Sequence, residues 1–148
     1  MHSDRRIDKI KEIIKEALII EFENINMYKM GLIPIGVYDA VAFIHKYLYD
    51  AELTSSFLQK HCIASRNKNF ASIFKYYIGK TPNHYWLFYR VKAAKLLLID
   101  KNLTEITVSD IAYSLGFNLP QTFTMIFKKY TDTTPNYYRK QNATDLNI

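Results

Sequence analysis

Residues 53–85 lie over residues 106–138 without a gap when the chain is slid on itself by 53 positions. Eleven of the 33 aligned positions are identical: Thr54/Thr107, Ser56/Ser109, Phe70/Phe123, Ile73/Ile126, Phe74/Phe127, Lys75/Lys128, Tyr77/Tyr130, Thr81/Thr134, Pro82/Pro135, Asn83/Asn136 and Tyr85/Tyr138. At an average residue usage of roughly 5–7%, chance gives about two. One structural unit therefore occurs twice, and the rest of the chain has to be read around it.

The second copy is the easier to read. Thr107-Val-Ser-Asp110 has the form of a capping box, in which the hydroxyl accepts an amide and the acid reaches back. Ile111, Ala112 and Leu115 form the inner side of a short helix, and Gly116 ends it where positive φ is needed. Phe117 follows as a plug for a small core. Asn118 reads as the cap of the next helix, with Pro120 in its first turn and Gln121 at its third position. Phe123, Ile126, Phe127 and Tyr130 fall at i, i+3, i+4 and i+7, one helical face. Two short helices around a glycine turn make a helix-turn-helix, whose second helix fits a major groove about 12 Å wide. In the first copy Ser65 reads as the cap and Phe70, Ile73 and Phe74 as the buried side. There Gln59 replaces Ala112 and Ile63 replaces Gly116, so the same turn geometry is not expected. Phe70, Phe74, Phe123 and Phe127 could serve as a stacking platform for single strands, but their helical spacing assigns them to the core.

Between the copies, Thr81-Pro82 starts a helix by the Thr-cap, Pro-first pattern. It runs from 83 to about 100, with Trp86, Leu87, Val91, Ala94, Leu97 and Leu98 apolar, and its 18 residues span roughly 27 Å. That is a little under the roughly 34–36 Å of one duplex turn. Upstream, Ser3 reads as the cap of a helix extending to about Lys29, closed by Gly31 and Pro34. Its stripe is Ile7, Ile10, Ile14, Ala17, Leu18, Phe22 and Ile25. A second helix is expected from Asp39 through Leu48. The chain is thus expected to be all-α: two helix-turn-helix subdomains of homeodomain-like form joined by a long linker helix, plus an N-terminal amphipathic helix. The divisions are 1–36, 37–82, 83–101 and 102–148. The striped helix of residues 4–29 either folds back on the domain or pairs with a second copy.

Charge narrows the partner. Residues 1–59 hold seven Lys/Arg and nine Asp/Glu, whereas 60–148 hold thirteen and five, giving −2 and +8 of the net +6. Residues 60–99 carry eight basic residues and no acid, a polyanion-seeking distribution. No stretch approaches the roughly 20 apolar residues of a membrane span, and the start has no secretory pattern. A cytoplasmic, nucleoid-associated protein is expected. His61 beside the lone Cys62 lacks a third ligand or a base at useful spacing. There is no paired carboxylate, phosphate-cradling glycine loop or nucleophile–base pair. No enzyme, catalytic residue, metal or cofactor is expected.

The segment TVSDIAYSLGFNLPQTFTMIFKKYTDTTPNYYR, residues 107–139, resembles the AraC/XylS transcription regulators. It carries their I-A-x-x-x-G-F turn, the F-K-K run and the T-P-x-x-Y-R ending. The resemblance extends over residues 39–141, with HCIASRNKNF as a glycine-poor variant of the first turn. It implies sequence-specific binding of double-stranded DNA through two recognition helices in successive major grooves, with RNA polymerase as a further partner. The implied base-reading residues are Lys68, Ala71 and Ser72 in the first copy and Gln121, Thr122 and Met125 in the second. Members of the family often carry Arg at the positions of Ser72 and Met125, so a taste for A·T-rich or shape-read sites is expected. Backbone contacts are expected from Arg66, Lys75, Lys80, Lys128, Lys129 and Arg139, and from helix-start amides near Thr54, Thr107 and Asn118. About 36 residues precede the domain, too few for a ligand barrel, so no small-molecule effector is expected and control falls to abundance or a partner. The alternative is a protein-interaction regulator that has lost specific DNA binding.

Overall fold

The computed structural model describes residues 2–28 and 31–142. Its eight α-helices are α1 (His2–Tyr28), α2 (Ile35–Lys46), α3 (Ser55–His61), α4 (Phe70–Ile78), α5 (Pro82–Ile99), α6 (Val108–Ser114), α7 (Pro120–Thr131) and α8 (Pro135–Asn142). Short 3₁₀ segments follow α3 (Ile63–Arg66) and α5 (Lys101–Leu103). The fold is all-α, and among the described residues no helix is long and apolar enough to cross a membrane. Lys29, the expected end of the first helix, and residues 143–148 of the last division lie outside the described residues.

The linker helix α5 is the axis of the molecule. Thr81 caps it by accepting the His84 amide, and Pro82 opens it. Its face is apolar nearly all round: Tyr85, Trp86, Tyr89, Val91, Ala93, Ala94, Leu97 and Leu98 are buried. A helix with apolar residues on every side must be surrounded, and α1, α4, α6, α7 and α8 all pack on it.

Of the two fates open to the striped helix, folding back is the one seen. Ile7, Ile10, Ile14, Leu18 and Phe22 are buried in the common core. Ala17, expected in the stripe, is exposed. Arg6 pairs with the buried Asp100 at 2.5 Å, just past the end of α5. Fifteen residues on, Glu21 accepts from the hydroxyl of Tyr89, eleven residues earlier in α5. The helix therefore lies antiparallel along the linker. Its backbone is held midway by the Tyr49 hydroxyl, which donates to the Lys11 carbonyl at 2.7 Å. Tyr38 and His45 of α2 meet its Phe22 edge-on.

The start of α2 differs from the expectation. It begins at Ile35 rather than near Asp39, because the Pro34 carbonyl already accepts the amides of Val37 and Tyr38. The proline read as a stop for one helix is the start of the next, and Val37, Ala40, Val41 and Ile44 then share one buried face. His45 stacks on Tyr85, its Nε2 2.8 Å from the Tyr85 hydroxyl. Burial, with Lys15 nearby, pulls its pKa down to about 4, so it is neutral in the fold.

Candidate nucleic-acid interface

The second unit is built as read, with one change. The Thr107 hydroxyl accepts the Asp110 amide at 3.0 Å and starts α6. Ile111, Ala112 and Leu115 are buried, and Gly116 has φ +92°. A Cβ on Gly116 would lie 2.8 Å from the Tyr49 carbonyl oxygen, so glycine is required by space as well as by backbone angle. The expected cap, Asn118, is not the cap. Leu119 holds that place, without a side-chain bond, and Pro120 opens α7. A proline with φ already set makes a side-chain cap less necessary.

On α7, Phe123 and Phe127 are 0% exposed. Gln121, Thr122 and Met125 occupy the opposite, exposed side of its first turns, with Lys128 and Lys129 exposed one turn further on. The side chains assigned to bases and the nearest cations thus share a solvent-facing surface, while the phenylalanines are core.

The first unit keeps the frame and changes the turn. The Thr54 hydroxyl accepts the Phe57 amide, and Phe70 and Phe74 are buried. Cys62 is extended at φ −119°, and a 3₁₀ turn follows. Ser65 does not cap α4. It is buried, and its hydroxyl donates to the carbonyls of Cys62 and Leu58, tying the turn to α3. Asn67 does the work further on, its side-chain oxygen accepting the Asn69 amide at 2.9 Å. Consequently α4 starts only at Phe70, with Asn69 at its N-cap. Lys68 lies in the turn before the helix, whereas its counterpart Gln121 lies inside α7. Ile73, expected inside, is 38% exposed, and Ile78 closes the core instead. Lys68, Ala71 and Ser72 are exposed, and Lys68 and Ala71 line a cleft of about 380 Å³ together with Ser55, Gln59, Asn67 and Asn83.

The cations divide into two groups. Lys75, Lys128 and Lys129 are exposed, and Lys80 lies 4.4 Å over the Phe88 ring. Arg66 is exposed but donates to the carbonyls of Gln59 and Lys60 at the end of α3. Arg139 is half-buried and donates to the carbonyls of Leu98, Leu103 and Ile106. In the fold it is a brace between α8 and the end of α5. Arg90, to which the sequence reading gave no role, is buried in the linker and donates to the carbonyls of Leu48, Asp50 and Gly116. A signal for it exists: position 90 falls between Trp86 and Leu97 at the spacing of the buried face, where a cation must be fully hydrogen-bonded.

His61 packs against the rings of Phe43 and Phe57. Burial raises the thiol pKa of Cys62, which acts as a small apolar side chain. No metal-binding group occurs among the described residues.

Two helix-turn-helix units braced on one linker helix define the class of protein. A family model described as a helix-turn-helix domain matches residues 64–141. The HTH-type transcriptional regulator AlkR of Acinetobacter baylyi is 30% identical over 143 residues, covering 91% of this chain and 45% of the relative. The uncharacterized HTH-type transcriptional regulator YobQ of Bacillus subtilis is 30% identical, covering 73% of this chain and 43% of the relative. The probable transcription factor PqrA of Proteus vulgaris is 40% identical over 73 residues, 48% of this chain and 56% of the relative. The chain spans less than half the length of the first two. Among solved structures, the C-terminal domain of AraT, a response regulator from Geobacillus stearothermophilus, shares the fold at TM-score 0.65 and 22% identity, over 79% of this chain and 93% of that one. The chain belongs to the AraC/XylS family of helix-turn-helix transcription regulators.

Proposed function

We propose that the protein binds double-stranded DNA sequence-specifically through both units, with α7 and the α4 region in successive major grooves, and regulates transcription from there. The observation that carries this reading is the two-sidedness of α7. Phe123 and Phe127 are wholly buried while Gln121, Thr122 and Met125 face solvent beside Lys128 and Lys129. A glutamine amide can pair with adenine N6 and N7, and Thr or Met can touch a thymine methyl. Lys75, Lys80, Lys128, Lys129 and Arg66 supply phosphate contacts in this reading. The 18-residue α5, roughly 27 Å long by its rise per residue, sets the separation.

Binding to a labelled duplex library at several salt concentrations tests it. Five phosphate contacts give a slope of log K against log salt of roughly −4 to −5. Gln121→Ala should lower affinity by about 1–3 kcal/mol at sites with adenine at one position and little elsewhere. Equal weakening on every duplex would make Gln121 a backbone contact. Lys68→Ala, from the turn before α4, should weaken some sites more than others if it reads a base, and equal weakening on every duplex would make it a sixth phosphate contact.

The competing reading, a regulator that works through protein contacts without specific DNA binding, has one supporting observation: the first unit's reading helix lacks the turn that carries Gln121 in the second. A library bound without sequence preference at any salt would favour it. A homodimer would have to use the other side of α1, since the stripe of residues 7–22 is covered by the chain itself; light scattering on the full chain decides that point. Contact with RNA polymerase is checked by transcription from a selected site in a purified system.

A further inference from the structure

We infer that Arg90 is a positioning residue for DNA recognition: it locks the two helix-turn-helix units into one rigid body, and so fixes the half-site spacing the protein accepts. The inference rests on the two-unit reading proposed above.

Arg90 and Asp100 are the buried charged residues among those described. Asp100 has a cation beside it in Arg6. The guanidinium of Arg90 is instead held by backbone carbonyls from two distant parts of the chain. Nε donates to Leu48 at 2.7 Å, Nη2 to Asp50 at 2.8 Å and Nη1 to Gly116 at 3.3 Å. Leu48 and Asp50 belong to the connection between α2 and α3, which leads into the first unit. Gly116 is the turn glycine of the second. The guanidinium also lies 5.5 Å from the ring centroid of Phe117, the plug of the second unit's core. One cation on the linker thus touches both units at once.

The chemistry of the group makes this a lock. A guanidinium presents its donors in a fixed planar fork and stays charged. Burial lowers its pKa to about 10, which leaves it protonated at neutral pH. Rotating one unit about α5 would take carbonyls away from a buried charge, which is costly. Steric contact adds to this. A Cβ on Gly116 would lie 2.8 Å from Arg90 Nη2 and 2.8 Å from the Tyr49 carbonyl oxygen. The turn of the second unit therefore closes directly on the backbone entering the first. The two readers are joined at a touching point as well as by a rod.

Two measurements on the full chain test this, with Arg90→Lys, which keeps the charge but offers one donor point, and Gly116→Ala, which wedges the contact from its other side. The first uses duplexes carrying both selected half-sites at varied separation, below each variant's melting temperature. The wild type should prefer one separation by about tenfold, and both variants should flatten that preference to about threefold or less, with Arg90→Lys binding an isolated half-site as before. The second needs no DNA: spin labels at Ala71→Cys and Met125→Cys, with Cys62→Ala, give one narrow distance that broadens in both variants. Variants that retain the wild-type ranking of separations and a narrow distance overturn the inference while leaving the two-unit reading standing. A wild type that binds a single half-site as tightly as two overturns both.

Discussion

In the second helix-turn-helix unit α6 ends at Ser114 and α7 starts at Pro120; in the first, α3 ends at His61 and α4 waits until Phe70. The aligned residues around these gaps are alike: a capping Thr at each entry, a buried Phe pair, a Thr-Pro exit. Two positions differ decisively. Where the second unit has Gly116 at φ +92°, the first has Ile63, which cannot adopt that angle cheaply and opens a 3₁₀ turn instead. Where the second has Pro120, which sets φ for a first helical turn, the first has Asn67, whose side chain makes a local turn that competes with helix. The recognition helix consequently has 12 residues in one unit and 9 in the other. A shared hydrophobic frame fixes the core of such a unit, and the turn residues decide how much helix is left to read DNA.

The largest effect that should break the symmetry is at the turn. Gly116→Val puts a branched side chain at positive φ against the Tyr49 carbonyl and should cost about 3 kcal/mol or more. Ile63→Gly at the matching, exposed position should cost no more than about 1 kcal/mol. Urea titration of both variants checks this, and equal losses would mean the two turns bear the same constraint.

Next comes the brace. Arg139→Ala leaves the carbonyls of Leu98, Leu103 and Ile106 without their donor and should destabilise by about 2 kcal/mol. The first unit ends in His84 where the second has Tyr137, two residues before Arg139, and its own counterpart position is Trp86, so no matching brace exists there. If Arg139 instead contacts a phosphate, Ala will reduce the salt slope of DNA binding by about 0.9 with little change in urea midpoint.

A pH effect should fall on the first unit's side. His45, with a pKa near 4 in the fold against an ordinary 6.5, binds its proton more readily when unfolded. The stability it confers is full above about pH 6.5 and is lost as pH falls toward 4, by about 1–2 kcal/mol once its partial exposure is discounted. Melting temperature followed from pH 7 to 5 should fall less in His45→Phe than in the wild type; parallel curves would exclude the histidine. The smallest expected effect is that of Asn67→Ala, about 0.5–1 kcal/mol from losing the bond to the Asn69 amide. Circular dichroism of that variant should show no loss of α-helix, since the turn it stabilises is not helical.

The exposed face of α7 was legible in the sequence. Gln121, Thr122 and Met125 lie opposite Phe123 and Phe127 because helical period is a local property. The caps missed at Ser65 and Asn118 were misassigned because a Ser or Asn near a helix start can bond in several local ways. Pro34 was read as an end and proved a beginning, since an N-cap proline terminates nothing that follows it. The arginines were the hardest. Arg66, Arg139 and Arg90 all donate to carbonyls, and their partners lie from six to 42 residues away.

What the chain alone determined is the duplication, the all-α class, the buried phenylalanines, the linker helix and the basic half, because each follows from residue type and short-range spacing. What only the tertiary structure decided is which arginines are held by backbone carbonyls and how the two units are joined. A guanidinium's choice among water, phosphate and a carbonyl depends on which backbone the fold brings opposite it, and burial makes that choice binding.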